Sequence, residues 1–197
     1  MAVINMPAIK PTSIDFRLQS ASQSFQSALS GAEQVAVLPG AKWGASLQFP
    51  PLRGQDAAKM RAFLVSLGGR SGVFRLYTPG KNAGTAIGSP EVSSVVSRVE
   101  LETEGWTPSQ PLALEVGDYI TIGNELKMIT TAAPADAFGR ATLHIAPPMR
   151  RNPAVGTPVV VDKPSCVMRL ADDRAAWGIT APSLYAMSFD CIEVLDV

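Results

Sequence analysis

The chain has 197 residues, 46% of them hydrophobic, which is enough for one large core or two small ones and excludes a disordered or collagenous protein. Lys plus Arg equals Asp plus Glu at 17 each, and the single histidine is neutral at pH 7, so a nucleic-acid partner is disfavoured. Only 17% of residues are charged, beside 16 Gly and 16 Pro, which is typical of a subunit that covers much of its exterior against others.

The N-terminal segment favours neither export nor membrane insertion. Pro7 and Pro11 interrupt it, it has no apolar stretch of signal-peptide length, and the chain has no run of about 18 apolar residues. Cys166 and Cys191 lie on separate predicted strands without a Cys-x-x-Cys spacing. Buried thiols are therefore favoured over a zinc site or a disulfide.

Two segments near the N-terminus alternate apolar and polar residues. These are SIDFRLQS (13–20) and KWGASLQFP (42–50), and a side-chain period of two predicts half-buried strands. The stretch 19–30 is rich in Ser and Gln, and 35–38 predicts another short strand. We expect a pair of hairpin-like units.

One helix is predicted over residues 55–67. Asp56 near its start suits the helix dipole, and Gly68-Gly69 supplies a left-handed exit. The strand VFRLY (73–77) follows, so the helix is expected to lie across a sheet. A single apolar stripe at helical spacing carries the prediction: Met60, Phe63, Leu64 and Leu67.

The composition then changes over residues 79–90, PGKNAGTAIGSP, which we predict to form neither helix nor strand and to contain a domain junction. From 92 to 161 short strands alternate with turns, including the turn-rich EGWTPSQP (104–111) and the hairpin turn Gly123-Asn124. This spacing predicts a small barrel or sandwich of five or six strands. After Pro164 longer alternating strands return.

These patterns predict an all-β fold with one helix. The outer domain is expected to be built discontinuously from residues 1–84 and 163–197, with the helix packed on its sheet. Residues 85–162 form a small β-barrel inserted into it.

No catalytic or metal-binding set stands out. His144, the only histidine, is centred in a predicted strand without a Gly-x-Ser-x-Gly elbow, and Asp172-Asp173 with Arg174 indicates a turn rather than a metal site. The segment GKNAG (80–84) lacks the order of a phosphate-binding loop. Scattered acids leave paired-carboxylate catalysis open without favouring it: Asp15, Glu100, Glu102, Glu115, Asp118, Asp190 and Glu193. We expect no cofactor and no enzymatic activity.

Two further groups have structural and functional interpretations. Met149-Arg150-Arg151 is more typical of a salt-bridged loop or a subunit contact than of a nucleic-acid patch. Trp106, Tyr119 and Trp177 could form a sugar-stacking platform, although core or interface packing is favoured.

Three segments, FLVSLGGRSGVFRLYTP (63–79), LEVGDYITIGNELKMIT (114–130) and DAFGRATLHIAPPMRRNPAVGTPV (136–159), resemble distal tail proteins of long-tailed bacteriophages. The resemblance spans roughly residues 43–194 and rests on glycines, prolines and strand residues rather than a catalytic signature. It implies a ring, commonly a hexamer, between the tail tube and the tip or baseplate hub. The implied location is the virion tail tip, after assembly in the host cytoplasm.

The resemblance implies that the outer domain is a ring-forming β-sandwich similar in shape to tail-tube subunits. It also implies that the barrel projects outward, as a passive element, a fibre anchor or a binder of host-surface carbohydrate. The residues chosen as subunit contacts are Gly69, Arg70, Gly72, Lys81, Asn82 and Gly84. Trp106 and Tyr119 are assigned to the outer surface of the barrel. The alternatives are another minor tail-tip or tail-terminator component, or a carbohydrate-binding accessory tail protein.

Overall fold

The structure, a computed structural model, describes residues 3–38, 40–78, 88–108, 114–131 and 134–194. Its strands form two six-stranded sheets and two small hairpin sheets, with one α-helix. The predicted all-β fold with one helix and an inserted barrel is confirmed. The predicted junction between residues 84 and 85 lies outside the described residues, and that between 162 and 163 lies between strands β12 (Val159–Val160) and β13 (Ser165–Leu170).

The elements of the first six-stranded sheet come from both ends of the chain. They are β1 (Val3–Asn5), β2 (Ser13–Gln19), β5 (Lys42–Gln48), β6 (Val73–Tyr77), β13 and β16 (Ser188–Glu193), with helix α1 (Gly54–Ser66) between β5 and β6. The hairpin sheets are β3 (Ser22–Gln26) with β4 (Glu33–Val37), and β14 (Gly178–Thr180) with β15 (Leu184–Ala186).

The first sheet has the order β1-β6-β13-β16-β5-β2, with β1 parallel to β6 and the other pairs antiparallel. Strand β16 lies in the middle, where it pairs with β13 on one side and with β5 on the other. The part formed by β1, β6 and β13 and the part formed by β5 and β2 are therefore joined through β16.

Helix α1 covers part of one face of this sheet. Its predicted stripe of four residues is buried, together with Ala57, and Phe63 makes an edge-to-face contact with Phe74 of β6 at 5.5 Å between ring centroids. Gly68 and Gly69 have φ of 58° and 69°, as the predicted left-handed exit requires. A Cβ at Gly72 would contact the backbone of Leu67, so the chain turns back tightly into β6.

The second six-stranded sheet is a nearly closed barrel. It has the order β12-β9-β10-β11-β8-β7, and a bridge between Glu91 and Pro158 brings its two outer strands together. Val92 donates its N–H to the Thr157 carbonyl at 2.9 Å near this closure. The strands not yet given are β7 (Gly88–Ser97), β8 (Glu100–Trp106), β9 (Tyr119–Ile122), β10 (Glu125–Thr131) and β11 (Ala141–Ala146).

Two local predictions for the barrel were wrong. Residues 88–90 belong to β7 rather than to a loop, and β8 continues through Trp106 into the segment predicted as a turn. Gly88 and Gly105 face each other across this pair with φ of 95° and 86°, and a Cβ on either would meet the backbone of the opposite strand. The glycines permit a bulged, close approach of two strands here, so they do not end the ladder.

Candidate functional site

The most exposed element of the described structure is the hairpin of β3 and β4, here called the arm (residues 22–37). The β2–β5 pair leads into it, and Leu38 donates its N–H to the Ala21 carbonyl at 2.9 Å at its base. Strands β3 and β4 pair with each other in a sheet of their own. All side chains from 22 to 36 are exposed, so the arm projects from the rest of the described chain.

The arm carries apolar side chains on both faces and at its tip. The pairing places Val35 opposite Ser24 on one face and Phe25 opposite Gln34 on the other. Phe25 and Val35 are each 58% exposed, and Leu29 in the tip turn is fully exposed. The turn is held by the Ser27 N–H, which donates to the Ala32 carbonyl at 2.9 Å. A two-stranded ribbon with this composition lacks a core of its own.

A small apolar cavity lies at the base of the arm, here called the cleft. Its volume is about 220 Å³, and the arm base forms one wall while the loop after β11 forms the other. The arm-base wall includes Leu18, Ala21 and Leu38, and the opposite wall includes Pro148 and Met149. Arg150 is the charged residue among those that line it.

A second feature, here called the seam, joins the first sheet to the barrel. Trp43 on β5 donates its indole N–H to the Leu126 carbonyl at 2.9 Å, and its ring packs edge-to-face on Tyr119 at 5.6 Å. Phe16 contacts both rings. Burial raises the pKa of Tyr119. The barrel therefore covers the part of the sheet face around Trp43, in one continuous apolar core with the helix.

Buried charges complete the seam. Glu193, buried on β16, forms an ion pair with Arg150 and accepts the Trp43 backbone N–H at 3.0 Å. Arg150 also donates to the Ala41 carbonyl at 3.2 Å. One interpretation of the Met149-Arg150-Arg151 cluster, a salt-bridged loop, is confirmed for Arg150.

Lys127 on β10 is fully buried beside this pair, which the sequence did not indicate. Its ammonium lies 2.7 Å from the Glu125 carboxylate and donates to the Pro148 carbonyl at 3.0 Å. Burial lowers the pKa of Lys127, while Glu125 opposes that shift. The buried ammonium is thus held by two partners within the fold.

An open polar groove of about 690 Å³ lies on the outside of the barrel, where His144 is half-buried. Ser94 donates to the Glu102 carboxylate at 2.6 Å in it. The Asp136 carboxylate accepts hydrogen bonds from the backbone N–H groups of Arg140 and Phe138. The bond from Arg140 is the main reason why the pKa of Asp136 lies below its usual value. Serine, threonine and acidic side chains line the groove together with Arg140 and the His144 imidazole, so it can hydrogen-bond a polar ligand.

The assignment of Trp106 to the outer barrel surface was wrong. Its ring is 3% exposed in the barrel core, and its indole N–H donates to Thr103 Oγ1 at 2.7 Å. Tyr119 faces the first sheet in the seam, so its assignment to the outer surface is also wrong. The two side chains belong to different cores, and half-buried Trp177 packs with the Tyr119 core. The favoured interpretation, packing rather than a sugar platform, is confirmed for these rings.

The predicted subunit-contact residues at the helix exit make contacts within the chain. Arg70 donates its backbone N–H to Asp173 Oδ1 and its Nε to the Ala171 carbonyl, each at 2.9 Å. Gly69 is buried against Asp173, where a Cβ would lie 2.7 Å from Oδ1. Gly69 and Arg70 thus tie the helix exit to the loop after β13, whereas Gly72 packs against the backbone of Leu67. Contact of the three residues with another subunit stays a prediction. Lys81, Asn82 and Gly84, and the GKNAG segment, lie outside the described residues.

No known protein-family model matches this sequence, and no curated protein matches it. Within the described ranges, three or more His, Cys, Asp or Glu side chains do not come together in a way that would hold a metal ion. None of the helices in that part of the chain combines the length and apolar character needed to cross a membrane.

Proposed function

We propose that the chain is a non-enzymatic structural protein of a phage tail. In this proposal it forms an oligomeric ring, commonly of six copies, that joins the distal end of the tail tube to the tip or baseplate hub. Its partners are further copies of itself, the tube protein and the hub protein, with fibres or a host-surface glycan as further partners of the barrel. The observation that carries the proposal is the arm, whose apolar side chains lack cover within the described structure.

The arm favours assembly on energetic grounds. Full burial of an apolar side chain of this kind is worth about 2 kcal/mol. In the isolated chain Leu29 obtains none of this gain, and Phe25 and Val35 obtain less than half of it. The isolated ribbon is marginal in water, so a partner surface would both cover and order it. Low overall charge density also suits a chain that buries much of its surface between copies.

The proposed location in a phage tail rests on the sequence resemblance. The three segments that carry it fall on helix α1 with β6, on β9 with β10, and on the run from the Asp136 loop to β12. They contribute to both six-stranded sheets, so the resemblance involves residues that build the framework of the whole fold.

Native mass and particle shape test the proposal. Purified protein is measured by light scattering across a range of concentrations and imaged by negative stain. We expect closed rings, with six copies as the leading stoichiometry. The double variant Phe25→Ser/Leu29→Ser on the arm should shift the population towards monomer. Phe138→Ser/Val155→Ser is the matched control, because these exposed apolar residues lie on barrel loops, and it should retain the ring.

The outcomes separate the proposal from its alternatives. A monomer at all concentrations would count against self-assembly, and a closed oligomer of another stoichiometry would favour a tail-terminator or other tip component. A carbohydrate-binding accessory protein would instead show a glycan-dependent rise in melting temperature as a monomer.

A further inference from the structure

The arm and the cleft are complementary surfaces of the same chain. The tip presents fully exposed Leu29, and the cleft is an apolar cavity of 220 Å³ at the other end of the arm. An apolar cavity of roughly 150 Å³ already accommodates benzene, so the cleft has room for an aliphatic side chain. Leu38, which lines the cleft, is 47% exposed and gains cover if the cleft is filled.

The arm of a given chain cannot fill its own cleft. Leu38 and Ala21 line the cleft at the base of the arm, whereas Leu29 lies beyond the far end of β3. The five residues of β3 alone separate the two by about 16 Å along an extended ribbon. The occupant of the cleft must therefore come from elsewhere, and a second copy carries a suitable tip.

Charge favours the same pairing. Glu33 is the one ionisable residue of the arm, and it lies at the end of the turn that contains Leu29. Arg150 on the cleft wall is already paired with Glu193, whereas Arg98 is exposed and adjoins the cleft, since its backbone carbonyl accepts the Met149 N–H at 2.7 Å. A carboxylate on the tip is thus complementary to an exposed arginine beside an apolar cavity.

We propose that the arm tip of one copy docks in the cleft of a second copy, with Leu29 in the cavity and Glu33 towards Arg98. This rests on the proposed function and names the contact that builds the ring. The two patches are different surfaces of one chain, so the contact is heterologous and propagates from copy to copy until the ring closes. A stable interface needs roughly 800 Å² from each partner, so Phe25 and Val35 on the two faces of the arm contribute as well.

Two variants of matched chemistry test the contact. Leu29→Asp places a charge on the tip, and Leu38→Asp places one in the cleft. Both leucines are exposed, so each variant should keep the wild-type circular dichroism spectrum and melting temperature. Each alone should self-associate roughly 100-fold more weakly than the wild type, because docking would bury an unpaired carboxylate. The measurement is sedimentation velocity over a concentration series.

A mixture of the two variants gives the decisive result. Leu29→Asp retains an intact cleft and Leu38→Asp an intact tip, so an equimolar mixture should form dimers with one intact contact and nothing larger. A mixture that stays monomeric, or a Leu38→Asp protein that still forms wild-type rings, overturns the docking while leaving ring formation in place. A wild-type protein that never associates overturns the proposed function itself.

Discussion

Replacing Glu193 with Gln tests whether the seam holds the barrel on the sheet. The substitution keeps the size of the side chain and an oxygen that can accept the Trp43 N–H, but it removes the charge that pairs with Arg150. Breaking a buried ion pair from one side costs about 3–5 kcal/mol in general. Arg150 retains 13% exposure of its side chain and its bond to the Ala41 carbonyl, which offsets part of this. We expect a loss of about 2–3 kcal/mol in the free energy of unfolding.

The assay is equilibrium unfolding in urea, followed by tryptophan fluorescence, with Asp190→Asn as the control. Asp190 lies on the same strand but on the exposed face, where its carboxylate accepts a hydrogen bond from Ser46. The same acid-to-amide change there should cost less than about 1 kcal/mol, because an exposed interaction contributes little. Equal losses in the two variants would show that the ion pair of the seam contributes no more than a surface contact, and the reasoning above would fail.

Two further predictions concern the interior. Cys166 and Cys191 are buried free thiols. Burial raises the thiol pKa of both residues, to about 12 for Cys191, and the Glu193 carboxylate raises that of Cys166 further. Neither should react with a thiol reagent at pH 8 until the protein unfolds, and rapid labelling of the native protein would contradict the burial. Gly69→Ala should lower the free energy of unfolding by about 3 kcal/mol, because φ is positive and the new methyl group would collide with Asp173. Gly123→Ala, also at positive φ but with open space around it, should cost only about 1 kcal/mol, and equal melting temperatures for the two would refute the steric argument.

Regular patterns made much of the fold predictable. Strand alternation and the apolar stripe of the helix are local signals, and the helix begins and ends within one residue of the prediction. The Gly123-Asn124 turn connects β9 and β10 as predicted, since Glu125 pairs with Ile122 across it. The return of long alternating strands after Pro164 correctly indicated that the barrel is an insertion.

Features that depend on long-range contacts were not predictable. Trp106 follows a glycine in a turn-like sequence, and only closure of the barrel buries it. The buried ammonium of Lys127 is stabilised by a hydrogen bond to the Pro148 carbonyl and an ion pair with Glu125. Neither contact has a sequence signature. The arm was also missed as one continuous hairpin, because its side chains are exposed on both faces and alternation therefore carries no signal. The cleft was missed for the same reason, since it forms only where the arm base meets the loop after β11.

The central position of β16 in its sheet imposes an order on biosynthesis. This strand emerges from the ribosome after all the other strands of that sheet, although it supplies the contact between β13 and β5. The barrel strands are contiguous in sequence and can pair earlier, while β13 and β5 keep unpaired backbone edges until β16 arrives. A nascent chain halted shortly before residue 188 would therefore contain a folded barrel and a sheet in two separate parts. The unpaired edges of β13 and β5 would be prone to aggregation, so this chain would be a target for chaperones.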